Sequence, residues 1–117
     1  MEEKRKTMRQ LLIDELRKQE VEKLHSYLKS HAQSGPIDGI YWLFIPQDLW
    51  SQAQHGHHNC SPFYFAMEMG DDFCSFELLV RAQNSLHCSC ITYATPAQRN
   101  FLLQFADRLV STEAIIS

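Results

Sequence analysis

The segment that decides the fold is Phe63 to Tyr93, which reads FYFAMEMGDDFCSFELLVRAQNSLHCSCITY. Apolar and polar residues alternate through two parts of it, 63–69 and 74–81. Alternation with a period of two residues is typical of β-strands that are buried on one face. We therefore predict a three-strand antiparallel meander over 63–93, with its apolar side chains on a single face.

A two-residue turn at Gly70-Asp71 would join the first two strands, because a tight hairpin of this kind accepts glycine at its first central position. This turn pairs Met67 with Cys74 and Phe65 with Phe76, so that apolar residues face apolar residues. A slip of one residue would set them against polar side chains instead. The hydrophobic pattern and the turn chemistry therefore predict the same register.

A third strand over 86–92 would follow a short turn and pair Cys88 with Val80. In this register Cys74, Cys88 and Cys90 all point into the core, where free cysteine behaves as a small hydrophobic residue. Cys74 would lie at the far end of the sheet, so the three thiols should not converge. The aromatic and methionine face of the sheet would be either ordinary core or the lining of a small-molecule pocket, and the sequence leaves both open.

Helical spacing of apolar residues predicts a long first helix over 4–33 and a final helix over 96–111. A break in the first spacing leaves two shorter helices as the alternative. The apolar run at 40–45 predicts a further strand that has no polar face. The whole chain, 1–117, is thus predicted to be one α+β domain: an antiparallel sheet of about four strands, with the long N-terminal helix and the C-terminal helix packed on one face.

Composition excludes several classes of function. The chain has 117 residues, four cysteines and a formal net charge of −3. It has no apolar run long enough to span a bilayer and no signal-peptide pattern, so we expect a cytosolic protein with reduced thiols. Most cations lie in 4–29 but alternate with acidic residues, which argues against nucleic-acid binding. No glycine-rich phosphate loop is present.

Histidine and cysteine are concentrated in 55–60 and again at 87–90. Both are preferred ligands of zinc. The predicted register brings the loop before the first strand to the same end of the sheet as His87. The candidate metal ligands are therefore His57, His58, Cys60 and His87, although a polar loop without a metal is the alternative.

Catalytic interpretations have less support. Cys60 beside one of the nearby histidines would satisfy the pairing of a nucleophile and a base, but nothing indicates an oxyanion hole or an orienting third residue. Glu68 and Glu77 share the outer sheet face, where paired carboxylates are common. We predict no catalytic residue.

The apolar strand over 40–45 carries the functional prediction. Helices cover one face of a sheet in a domain of this size, so its second face needs another cover. We expect a small cytosolic, non-enzymatic binding or regulatory module that forms a homodimer or binds a protein partner through Tyr41, Leu43 and Ile45. The pattern leaves open whether this set or Ile40, Trp42 and Phe44 faces the helices, and the first helix crossing to the second face is the alternative cover. The alternative function is a protein that binds zinc or another metal; no cofactor is favoured, and neither nucleic acid nor membrane is an expected partner.

Overall fold

A computed structural model describes residues 9–112 of the protein. Within that range the strands are β1 (Gln10–Ile13), β2 (Gln33–Ser34), β3 (Ile40–Phe44), β4 (Phe63–Met69), β5 (Cys74–Glu77), β6 (Leu79–Ala82) and β7 (Thr92–Tyr93). The α-helices are α1 (Lys18–His31), α2 (Gln52–His55) and α3 (Pro96–Thr112). Two short 3-10 helices, Gln47–Leu49 and His58–Cys60, flank α2.

All strand pairs are antiparallel, in the order β1-β5-β4-β3-β2, with β6 beside β4 and β7 beside β6. The predicted α+β class, the antiparallel sheet and the C-terminal helix are confirmed. The sheet has seven strands rather than about four. None of the helices within residues 9–112 combines the length and the apolar composition that crossing a bilayer requires.

The long N-terminal helix predicted over 4–33 is wrong in its first half. Of the described part of this segment, only Lys18–His31 (α1) is helical, and the strand β1 precedes it. Residues 1–8 lie outside the described range. In β1, Leu11 and Ile13 are half-buried against the core, while Gln10 and Leu12 are exposed. Pairing with the edge of β5 satisfies the backbone of β1, and this long-range gain overrides the local helical spacing. Glu15, with φ of 55°, then turns the chain towards α1.

The predicted register of the β4–β5 hairpin is wrong by two residues. Met69 is opposite Cys74 and Met67 is opposite Phe76. The connection is a four-residue loop over 70–73, closed by a hydrogen bond from Gly70 N to Phe73 O of 2.8 Å. The Phe73 ring lies against Gly70 in the space that a Cβ would occupy. Because the shift is two residues, each side chain keeps its predicted face.

The third strand predicted over 86–92 is also wrong. Of residues 86–93, only the two residues of β7 pair with β6, with Val80 opposite Thr92. Residues 86–91 form no strand and instead turn back on themselves. This loop carries Cys88 and Cys90, so neither occupies the strand position that the sequence predicted.

The helices cover one face of the sheet, and the core lies between the two layers. Tyr41, Leu43 and Ile45 belong to this core, with exposed fractions of 4%, 8% and 4%. They therefore lie on the opposite face from the one that the predicted interface requires. The residues that β3 presents on the open face are Ile40, Trp42 and Phe44.

The predicted start of α3 is confirmed. Gln98 N donates to Thr95 Oγ1 at 3.1 Å, and Thr95 N donates to Gln98 Oε1 at 3.0 Å. This reciprocal pair is a capping box, which satisfies two backbone donors at the helix start.

The contact between Gly70 and Phe73 generates a stability prediction. Gly70→Ala should lower the free energy of unfolding by about 0.5–1.5 kcal/mol, because the added Cβ would force the half-buried Phe73 ring out of its present rotamer. Urea denaturation measures the change. Gly56→Ala is the matched control, since the nearest atom to its added Cβ is the Ala53 carbonyl oxygen at 3.8 Å. Equal losses in the two variants would contradict this account of the hairpin.

Candidate metal centre

Four side chains from two separate loops converge in the structure: His57, Cys60, Cys88 and Cys90. One potential ligand atom from each lies within 4.8 Å of all the others. The Sγ atoms of Cys60 and Cys88 are 3.7 Å apart, and Cys88 Sγ is 3.1 Å from His57 Nδ1. All four cysteines of the chain are free thiols.

The first loop supplies His57 and Cys60 through a tight turn after α2. Cys60 N donates to His57 O at 2.9 Å, which closes the turn. Side chains three residues apart in a 3-10 turn lie nearly above one another. The His-x2-Cys spacing therefore places both side chains on the same side of this loop.

The second loop supplies Cys88 and Cys90 through a reverse turn. Ile91 N donates to Cys88 O at 3.0 Å, and the Cys90 backbone N–H points at Cys88 Sγ, with the two heavy atoms 3.5 Å apart. A backbone N–H directed at sulfur stabilises the thiolate form, which is the form that binds metals. This turn therefore both positions and activates Cys88.

Asn84 joins the two loops directly. Its backbone N donates to Cys60 O at 3.2 Å, and its side-chain Nδ2 donates to Ser61 O at 2.7 Å. These bonds bring the start of the second loop to the end of the first. Neither bond involves a thiol, so the rest of each loop positions the sulfur atoms.

Two glutamines hold the backbone beside Cys90, and both are completely buried. Gln54 Nε2 donates to Cys90 O at 3.1 Å, while Gln98 Nε2 donates to Gln54 Oε1 at 2.8 Å and to Leu49 O at 2.9 Å. Each glutamine is also the third residue of a helix, α2 or α3, and closes its capping box. The position of the Cys90 turn is therefore tied to the starts of two helices.

The thiols differ in their ease of ionisation. The hydrogen bond from the Cys90 backbone N–H, aided by the Cys60 thiol and His57, lowers the pKa of Cys88 to about 7. Burial raises the pKa of Cys90 to about 12 and does the same for Cys74. Without a metal ion, Cys88 is therefore the most readily ionised of these three.

The structure brings together two of the four ligands that the sequence predicted, His57 and Cys60. It leaves His58 and His87 exposed and outside the cluster. The predicted register extends the meander through Cys88 and Cys90 and so places both in a core strand. The available signal was the pair of short spacings, His-x2-Cys and Cys-x-Cys, each of which suits a turn better than a strand. Cys74 is buried elsewhere in the core, as predicted.

Comparison with known proteins adds no assignment. No family model, no curated protein and no solved structure matches this chain. The function is therefore inferred from the geometry of the protein itself.

Replacing Gln54 tests the glutamine pair. Gln54→Leu should lower the free energy of unfolding by about 1–3 kcal/mol, because it removes the donor to the Cys90 carbonyl and one of the two acceptors of Gln98 Nε2. Gln52→Leu is the control, since Gln52 is an exposed residue of the same helix. Equal urea midpoints for the two variants would show that the buried network contributes nothing.

The reactivity of the thiols in metal-free protein provides a second test. A bulky thiol reagent should modify one cysteine rapidly, and that cysteine should be Cys88, since it is more exposed than Cys60, Cys74 and Cys90. Its rate should rise with pH through about 7, following ionisation of Cys88, rather than through the usual thiol range. Peptide mapping of the modified protein identifies the residue. Rapid modification of Cys74 would be incompatible with the structure.

Proposed function

We propose that the protein binds one Zn²⁺ ion through His57 Nδ1 and the Sγ atoms of Cys60, Cys88 and Cys90, and that this ion has a structural role. The observation that carries the proposal is the convergence of these four atoms to within 4.8 Å of one another. They come from two loops that are distant in sequence. Such a convergence of soft ligands is what a tetrahedral zinc site requires.

The distances support this geometry. With zinc–sulfur bonds of about 2.3 Å, neighbouring sulfur atoms of a tetrahedral site lie about 3.8 Å apart. The Sγ atoms of Cys60 and Cys88 are separated by 3.7 Å, whereas a disulfide requires about 2.05 Å. The 3.1 Å between Cys88 Sγ and His57 Nδ1 would need to lengthen by a few tenths of an ångström on metal binding.

The number of ligands favours a structural rather than a catalytic ion. Three thiolates and one imidazole fill the four positions of a tetrahedral zinc ion, so none is left for water or substrate. Cys60 and Cys90 are buried, while His57 and Cys88 are partly exposed and give the ion a route of entry. A thiolate-rich site of this kind requires the reduced thiols that we expect in the cytosol.

The lack of regular secondary structure in the second loop explains why a bound ion would stabilise the protein. The second loop, over 83–91, contributes no named strand or helix to the fold. A metal bound between it and the first loop would replace the missing sheet hydrogen bonds with four coordinate bonds. Because such a site forms only in the folded state, its binding energy would contribute to folding.

The three neighbouring histidines allow a sharp test. His57→Ala should abolish stoichiometric zinc binding, whereas His58→Ala and His87→Ala should leave it intact, because only His57 belongs to the cluster. Metal content is measured on protein purified without a histidine tag, and cobalt substitution gives the absorption bands of thiolate ligation in the variants that bind. Zinc lost equally from all three variants, or absent from the wild type, would contradict the proposal.

Removal of the ion should also destabilise the protein. If chelation removes about 2 kcal/mol of stability, the melting temperature should fall by roughly 8 °C or more. Cys90→Ser should lower the melting temperature of the untreated protein and make it insensitive to chelator. An unchanged melting temperature of wild-type protein after complete chelation would exclude a structural role.

The wider role that we propose is still that of a non-enzymatic binding or regulatory module, with zinc holding its loops. The homodimer stays a prediction, and it would now need a surface other than Tyr41, Leu43 and Ile45. Light scattering at micromolar concentration distinguishes a 13.7 kDa monomer from a particle of twice that mass.

A further inference from the structure

A cavity of about 480 Å³ opens on the face of the sheet that the helices leave uncovered. Its volume lies in the range of sites that bind small molecules, roughly 300–1,000 Å³. None of the four proposed zinc ligands lines it. The cavity is therefore a candidate binding site of its own.

Differences in side-chain size create the depression. Ala66 lies on central strand β4, directly opposite Trp42 on β3. The neighbouring outward residues of β4 are Tyr64 and Glu68, both much larger. Ser75, opposite Glu68 on β5, is again small. A short side chain surrounded by long ones leaves a hollow above the sheet.

One wall of the cavity is aromatic. The rings of Trp42 and Tyr64 are stacked, with centroids 4.3 Å apart and an interplanar angle of 21°. Burial raises the pKa of the Tyr64 hydroxyl, which reflects the limited access of water to this wall. Trp42 and Tyr64 both line the cavity, so a ligand there would contact this aromatic pair.

The charged residues of the lining are Glu68, Glu77 and Arg81. Arg81 Nε donates to Glu77 Oε1 at 2.7 Å and Arg81 Nη2 donates to Glu77 Oε2 at 3.0 Å, so these two charges compensate each other. Glu68 is exposed and forms no salt bridge with any residue in 9–111. Among residues 9–111, the cavity therefore has one carboxylate, that of Glu68, without a salt-bridge partner beside its aromatic wall.

We infer that this cavity binds a small organic cation, with a quaternary ammonium or guanidinium group against the Trp42 indole and its charge paired with Glu68. Aromatic faces attract cations through the negative potential of the ring, and a nearby carboxylate adds to this attraction. An anionic ligand is disfavoured because it would have to displace Glu77 from Arg81. A neutral ligand would leave Glu68 unpaired.

Choline is a suitable probe, because 3,3-dimethylbutan-1-ol has the same shape without the charge. Choline should quench or shift the tryptophan fluorescence and move the indole resonance of Trp42 saturably at millimolar concentration. The neutral alcohol should bind about tenfold more weakly, as the loss of a cation–π contact and an ion pair implies. Equal responses to the two compounds, or none to choline, would overturn the inference.

Two variants with the same change in net charge locate the site. Glu68→Gln should weaken choline binding by about fivefold, a size appropriate to an exposed ion pair. Asp71→Asn, in the exposed loop between β4 and β5, should leave it unchanged. Equal weakening in both variants would indicate only a general effect of charge and would contradict a site at Glu68.

Occupation of the same face by a second copy of the chain is the competing outcome. In that case light scattering would give twice the chain mass, Trp42→Glu would restore the monomer, and choline would not bind to the dimer. That combination would overturn the inference.

The test is independent of the proposed zinc site. Because the Trp42 wall shares no residue with the zinc ligands, choline should bind equally well to His57→Ala protein if that variant stays folded. Failure of one proposal is therefore distinguishable from failure of the other.

Discussion

The rest of the structure depends on the central position of β4, which forms hydrogen bonds with β3, β5 and β6. Its inward residues, Phe63, Phe65 and Met67, are almost completely buried under the helices. A strand with partners on both sides has no free edge, so its register cannot slip without breaking two ladders and exposing this row. Both the core and the open face are therefore defined relative to this one strand.

The same strand separates two chemically different surfaces. Its inner face meets α1 and α3 in a conventional apolar core. Its outer face alternates Tyr64, Ala66 and Glu68, so aromatic, small and charged residues succeed one another along the open side. With Trp42, this outer row gives the open face both aromatic and charged side chains. A sheet face that only contacts water carries mostly polar residues, whereas binding sites combine apolar and polar groups in this way.

The candidate metal centre is positioned by the helix starts rather than by the sheet. Gln54 and Gln98 each close a capping box and also bond to one another, and Gln54 extends the network to the Cys90 carbonyl. Buried polar groups that satisfy one another specify a single arrangement, because any alternative leaves some of them without partners. The backbone of Cys90 is thus held in place without an ion, which reduces the ordering that metal binding would require.

Local sequence signals predict three elements correctly: α3 with its cap at Thr95, the apolar strand β3 and the inward face of β4. They also identify His57 and Cys60, since both belong to one short loop. Local signals do not predict that β1 is a strand or that Cys88 lies beside His57. Both outcomes depend on which chain segment meets a free sheet edge or a distant loop, and the energy of such long-range contacts does not appear in local periodicity.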